Sequence, residues 1–230
     1  MSEMRTQLVE TVTALLSSQT DAAAFEAAGF GQLLTSESEG GFGGDWGDAE
    51  AVLRLVGYDQ PGLEVASMIV GDAELDLALA TVALIGGALQ RAMEMAIDHA
   101  NTRVQFGKPL GKQQAVQQSL ALLAEEVAAV AVAAQAAARA RDTGDGAFEI
   151  SCAKLRANRA AGTGAAIAHQ VHGAIGFTIE YPLHRYTRKL TEWRSACGND
   201  AVWAERVGTF AATQGGVGLW AEITRRGDME

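Results

Sequence analysis

Proline occurs three times in this 230-residue chain, at Pro61, Pro109 and Pro182, and each stands where an apolar-periodic segment stops. Proline has no backbone N–H to give to a helix, so these points divide the chain. Alanine dominates between them, with Leu, Glu, Gln and Arg, the other strong helix formers, while β-branched alternation is scarce. The chain therefore reads as all-α.

The elements follow from the 3.6-residue period. Leu8, Val9, Val12, Leu15 and Leu16 share one stripe of a helix over Glu3 to Ser18, and Thr20-Asp21 offers a cap for a short helix through Ala28. Gly29 to Asp45 is a glycine-rich loop, and Trp46 to Gly57 a third helix with Val52, Leu53 and Val56 facing inward. Long helices are expected over Ala73 to Arg103, Lys112 to Arg141 and Ala147 to His172, then shorter ones over Leu183 to Arg194 and Asp200 to Ala212. Brief loops between long helices make an antiparallel bundle the economical packing. The expected organisation is a short N-terminal helical segment over 1–60, an antiparallel four-helix bundle over 73–214 and a tail over 215–230.

Composition narrows the function. With 48% hydrophobic and 20% charged residues the chain is too apolar for disorder. A net charge of −10 disfavours nucleic acid, whose binding rests on neutralising phosphates. Cys152 and Cys197 are too few for a disulfide framework, which fits the cytoplasm. The N-terminus lacks a signal peptide's uninterrupted apolar core, and the most apolar run, Leu77 to Leu89, is short of a span of about 20 residues. No membrane partner is expected.

Most short motifs resolve to ordinary structure. GGFGGDWG has Trp46 where a dinucleotide fingerprint needs its third glycine, and no apolar strand precedes it. His169 and His172 stand three apart on a helix with no carboxylate or cysteine nearby to complete a metal site. Cys197 has no histidine at local spacing to activate it, so neither a metal nor a nucleophile is expected.

Two junctions are richer. Thr102-Arg103-Val104-Gln105-Phe106-Gly107-Lys108-Pro109 precedes a helix opened by Gln113, Gln114, Gln117 and Gln118. An arginine and an aromatic ring beside freed backbone N–H groups suit a phosphate and a planar base. The second runs from Gln170-Val171-His172-Gly173-Ala174-Ile175-Gly176-Phe177 into Glu180-Tyr181-Pro182-Leu183-His184-Arg185-Tyr186-Thr187-Arg188, where small residues after a helix permit close backbone approach to a ligand. On physics alone either cluster reads first as a structural turn with surface charges.

Together the two junctions resemble the acyl-CoA dehydrogenase family, with its T-R-x-Q-F-G-K-P motif and its Q-x-x-G-G-x-G-[FY] … [ED]-Y-P-x-x-R-x-x-R stretch. Gly29 to Gly43 is similar to the family's N-terminal glycine motif, with Ser36 for Pro and Ser38 for the second Glu. The resemblance implies an FAD-dependent α,β-desaturation of an acyl-CoA thioester. Members bind FAD across a subunit interface, so by match Arg103 would pair with the pyrophosphate and Phe106 would pack near the adenosine. Gln170 with the backbone of Gly173 and Ala174 would complete the clamp, Ala174 replacing the motif's second glycine.

Two parts of the family pattern are missing. Its middle β domain holds the flavin ring, yet here Gly57 is followed within about 16 residues by the first bundle helix, too few for several strands of 5–6 residues each. Its catalytic glutamate falls by count on Cys197, and the alternative position on the first bundle helix falls on Leu77. The resemblance thus implies a non-catalytic subunit of a heteromer whose full-length partner supplies the β domain and the glutamate. The competing readings are a scaffold that no longer touches FAD, and a self-sufficient enzyme using Glu74, Asp76 or Asp200 as its base.

Overall fold

The computed structural model describes residues 3–18, 21–105 and 107–227. Helices α1 (Glu3–Ser17), α2 (Ala22–Ala27) and α3 (Trp46–Asp59) form the N-terminal segment. Asp21 caps α2 by accepting the Ala24 N–H, while Thr20, the other residue of the expected cap, lies outside the described residues. Asp45 caps α3 in a reciprocal capping box with Asp48. Arg5 of α1 clamps both carboxylates at 2.6 Å, fixing α1 across the start of α3.

The bundle is built from α5 (Glu74–Thr102), α6 (Gln114–Thr143), α7 (Ala147–His172) and a return through α8 (Leu183–Ser195) and α9 (Asp200–Gly227). Helix α5 is its axis: α3, α6, α7 and α8 all pack against it. Leu79, Ile85 and Leu89 are buried on α5, each contributing about 2 kcal/mol by leaving water. The core is continuous with the N-terminal segment, where Phe25, Phe30, Leu33 and Leu53 belong to the same apolar cluster.

The periodicity missed three features. A short helix α4 (Ala66–Val70) crosses the link between α3 and α5, and a two-stranded hairpin, β1 (Val104–Gln105) with β2 (Lys108–Pro109), joins α5 to α6. The last helix does not end at Ala212: helical residues continue, break at Gly215 (φ 68°, ψ 164°) and resume to Gly227. There Arg226 bonds Glu149 of α7 at 2.8 Å and lies over the rings of Phe148 and Phe210.

Helices α5 and α6 are each long and apolar enough to cross a membrane by length and composition, which a count of uninterrupted apolar runs understates. In α5 the most apolar window is 78% buried in the core, whereas in α6 it is only 22% buried.

Candidate functional site

Arg103 ends α5 in extended backbone, its N–H still bonded to the His99 carbonyl at 2.9 Å. The chain then turns through the hairpin, where Val104 pairs with Pro109, Gln105 pairs with Lys108, and Gly107 takes a φ of 79°. That left-handed turn is open to glycine at no steric cost. The Leu110 N–H returns to the Arg103 carbonyl at 2.9 Å, so the arginine sits at the closed base of the hairpin. Phe106 lies outside the described residues.

The second junction folds similarly. Gly173 ends α7 with a φ of 63°, and residues Gly173–Phe177 form one tight 3-10 turn. Gly176 is needed for space: a Cβ there would stand 3.0 Å from the His172 Cβ and 3.1 Å from Leu183 Cδ2.

These turns face each other across one open pocket of about 610 Å³, lined by Arg103 and Gln105 on one side and Gln170, Gly173 and Ala174 on the other. Four of the five expected clamp residues are thus brought together, Arg103 meeting Gln170, Gly173 and Ala174 from 67 to 71 positions away in sequence. Arg103 and Gln170 are exposed, and among the described residues Arg103 makes no ion pair, leaving its guanidinium available to an anion.

The floor of the pocket is a pair of histidines, His172 and His99, of which sequence reasoning weighed the first only as a metal ligand and did not consider the second. His172 is buried, with Nδ1 2.7 Å from the Ala168 carbonyl and Nε2 3.0 Å from the Tyr181 hydroxyl. A carbonyl only accepts, so Nδ1 carries the proton and Nε2 accepts from the tyrosine. His99 stacks on it at 4.7 Å between ring centroids. Burial pushes both histidines below their ordinary pKa, and for His99 the neighbouring His172 and Arg103 push the same way. That shift favours their neutral forms, and Arg103 is the one arginine or lysine among the residues lining the pocket. The available signal was spacing: His99 precedes Arg103 by four, one helical turn on the same face.

His169 and His172 do not converge on a common ligand point: His169 Nε2 bonds Thr187 at 2.9 Å and its ring stacks on Phe177. No group of three potential metal ligands converges among the described residues.

Cys197, where the count from Arg188 leads one to expect the family's usual glutamate, has a φ of 56°, the only positive φ of a non-glycine residue among those described. Its Sγ lies 3.9 Å from Thr81 Oγ1. The three carboxylates that could replace a base are all engaged. Glu74 bonds Arg206 at 2.7 Å, Asp76 holds Arg141 through both oxygens at 2.7 and 3.2 Å, and Asp200 bonds Arg194 at 3.0 Å. Leu77 and Thr81 instead line a small pocket of about 260 Å³ roofed by the segment from Pro61 to Ser67.

Comparison with known proteins identifies the family. The family described as acyl-CoA dehydrogenase, C-terminal domain, matches residues 76–211. Glutaryl-CoA dehydrogenase of Desulfococcus multivorans is 38% identical over 104 residues, covering 44% of this chain and 27% of that protein. The ChsE4–ChsE5 complex of Mycobacterium tuberculosis superposes with a TM-score of 0.58 at 28% identity, over 59% of this chain and 37% of that one. The structure of the Tcur3481–Tcur3483 steroid acyl-CoA dehydrogenase variant, at only 16% identity, shares the fold over 92% of this chain and 98% of that chain, with a TM-score of 0.79. The chain spans between 27% and 35% of the length of the first three curated relatives it matches. With that C-terminal domain accounting for more than half of its residues, this chain belongs to the acyl-CoA dehydrogenase family.

Proposed function

We propose that this chain is a non-catalytic subunit of a heteromeric, FAD-dependent acyl-CoA dehydrogenase, lending its pocket to the FAD of a full-length partner subunit that carries the β domain and the catalytic glutamate. The observation that carries the reading is the pairing of a preserved clamp with an absent base. Arg103, Gln170, Gly173 and Ala174 meet in one open pocket, while Cys197 stands at the glutamate's position and Glu74, Asp76 and Asp200 are tied to arginines. The match to the ChsE4–ChsE5 complex, itself an assembly of unlike chains, supports a heteromer.

The residues present fit the group. An exposed guanidinium with no ion-pair partner among the described residues suits a pyrophosphate, to which arginine can give two parallel charge-assisted hydrogen bonds. Gly173 leaves space beside its backbone, since nothing lies within 4 Å of where its Cβ would be, and Gln170 offers both a donor and an acceptor. FAD supplies the hydride acceptor of the desaturation; this chain's residues bind and orient its phosphate and adenosine end. Burial holds His99 and His172 below their ordinary pKa, which favours neutral imidazoles at the pocket floor.

The test is co-expression with a full-length family member, purification of the complex and measurement of its flavin. Arg103→Ala should weaken flavin retention by about 10- to 100-fold, the worth of a hydrogen bond to a charged group, and bleach the complex without dispersing its subunits. A complex equally yellow with the substitution would remove the clamp and favour the scaffold reading. Desaturation of an acyl-CoA by this chain alone, with an artificial electron acceptor, would overturn the non-catalytic assignment.

A further inference from the structure

Of the chain's four histidines, three have their rings committed: His169 to Thr187, His172 to the Ala168 carbonyl and Tyr181, and His184 to the Tyr181 carbonyl at 2.8 Å. His99 is the exception. Neither of its ring nitrogens has a hydrogen-bond partner among the described residues. The ring is held by contact alone, stacked on His172 at an interplanar angle of 29° and edge-on to Tyr181 at 6.4 Å between centroids. Its platform does not compete for a ligand, because both His172 nitrogens are already bonded. His99 lines the same pocket as Arg103, one helical turn away, and its carbonyl accepts the Arg103 N–H, so the turn that carries both side chains is closed. No carboxylate is among the residues that line this pocket.

We propose that His99 is a second ligand of the anion in this pocket, donating a ring N–H to the diphosphate that Arg103 grips and taking up a proton as it binds. The assignment rests on the reading of the pocket as a flavin clamp, and adds to it a binding residue and a pH dependence. Few charged or titratable groups face His99. They are Arg103 on its own helix, His172 from α7 and Tyr181 from the link to α8, while the segment opening α6 contributes the uncharged Leu110 and Val116. Asp98, next in sequence, is exposed and acts on Tyr181. Burial, His172 and Arg103 all hold the imidazole below its ordinary pKa. A diphosphate beside it reverses that balance, since it offsets the Arg103 charge and gives the imidazolium an acceptor. With no carboxylate in the wall to do the same, the ligand is the source of the compensating charge. Binding then takes up a proton, and affinity rises as pH falls, by at most about tenfold per pH unit for one proton.

The test uses the complex with a full-length family member, stripped of flavin and titrated with FAD while flavin fluorescence is followed. Between about pH 8 and about pH 6 the parent should gain at least about threefold in affinity over His99→Phe, which keeps a stacked ring but neither donates nor titrates. The partner's own ionisations cancel in this comparison. His99→Gln, a donor without a charge, should recover part of the affinity at the higher pH and none of the pH dependence, so either variant suffices if the other does not fold. Titration calorimetry at about pH 6.5, in two buffers of different ionisation enthalpy, should show proton uptake by the parent that both variants lack. Parallel pH profiles for the parent and the variants, or equal proton uptake, would overturn the proposal while leaving the clamp standing, provided that Arg103→Ala still bleaches the complex. Flavin retained in full by Arg103→Ala would instead remove the clamp, and the role of His99 with it.

Discussion

Lys154 is fully buried on α7, and its ammonium gives one hydrogen bond to Asn158 Oδ1 at 2.5 Å and another to the Trp193 carbonyl at 3.0 Å. That carbonyl lies in the last turn of α8, so an internal cation holds the negative end of a helix. Asn158 continues the corner by donating to the Gly198 carbonyl at 3.3 Å, next to the left-handed Cys197. The arrangement is costly: burial pushes Lys154 from 10.5 down to about 8. Between those values the folded chain binds fewer protons than the unfolded one, so stability rises as pH climbs from 8 to 10.5, and the penalty is fully present below 8. Urea denaturation of the parent and Lys154→Met side by side should show their stability difference shifting towards the parent across that window, by up to about 3 kcal/mol. A difference flat with pH would mean that Lys154 titrates in the folded chain as it does in the unfolded one, with no burial penalty on its charge. Sequence periodicity had no purchase on this residue, because a lysine in an alanine-rich helix reads as surface until the α8 terminus is packed onto it. By contrast, the expectation that Cys197 stands where the family has its glutamate comes from the offset from Arg188, which needs no tertiary knowledge.

At the scale of elements, α5, α6 and α7 were legible within two residues because each carries a sustained 3.6-residue pattern. Features set by partners were not. Helix α4 is five residues long, too short to show a period, and the β1–β2 hairpin is shaped by Gly107 and a backbone bond to Arg103. The crossing of α3 over α5 is another case. A Cβ on Gly87 would stand 1.9 Å from the Arg54 carbonyl oxygen, and one on Gly57 2.2 Å from that of Leu84, so the two helices meet backbone to backbone. Gly86, its neighbour in sequence, has room, its Cβ position being 3.5 Å from Val130 Cγ1. Gly87→Ala should therefore destabilise the chain by about 3 kcal/mol, since the clash is with backbone and one helix must move. Gly86→Ala should be neutral or stabilising by up to about 1 kcal/mol through helix propensity. Thermal melts of the two variants, identical in composition, isolate the contact; equal melting temperatures would show that α3 does not sit this close to α5. In sequence the two glycines are indistinguishable.

The whole molecule turns on what lies between α3 and α5. Only 14 residues, Gln60 to Ala73, separate the two helices, and they are spent on a turn and α4, whose Ile69 and Val70 are buried in the common core. Counting residues was enough to exclude a sheet there, but not to show that the link closes over Leu77 and Thr81, beside Cys197, which only packing decides. The same packing bears on stoichiometry. A subunit that offers the phosphate end of a flavin site but has no sheet between α3 and α5 for the ring can complete only its partner's site. Its own ring position would have to be built from the segment that roofs the small pocket. In a purified complex with a full-length family member, flavin absorbance against total protein should thus give one FAD for each pair of unlike chains. Arg103→Ala in this chain should lower that figure towards zero, because each flavin in the pair depends on this clamp. Two FAD per pair would mean that the α3–α5 link opens to admit a ring, and Val65, 1% exposed and packed in the core, would then have to leave it at a cost of about 2 kcal/mol. The ratio therefore measures directly whether the closed link is the working state of the subunit.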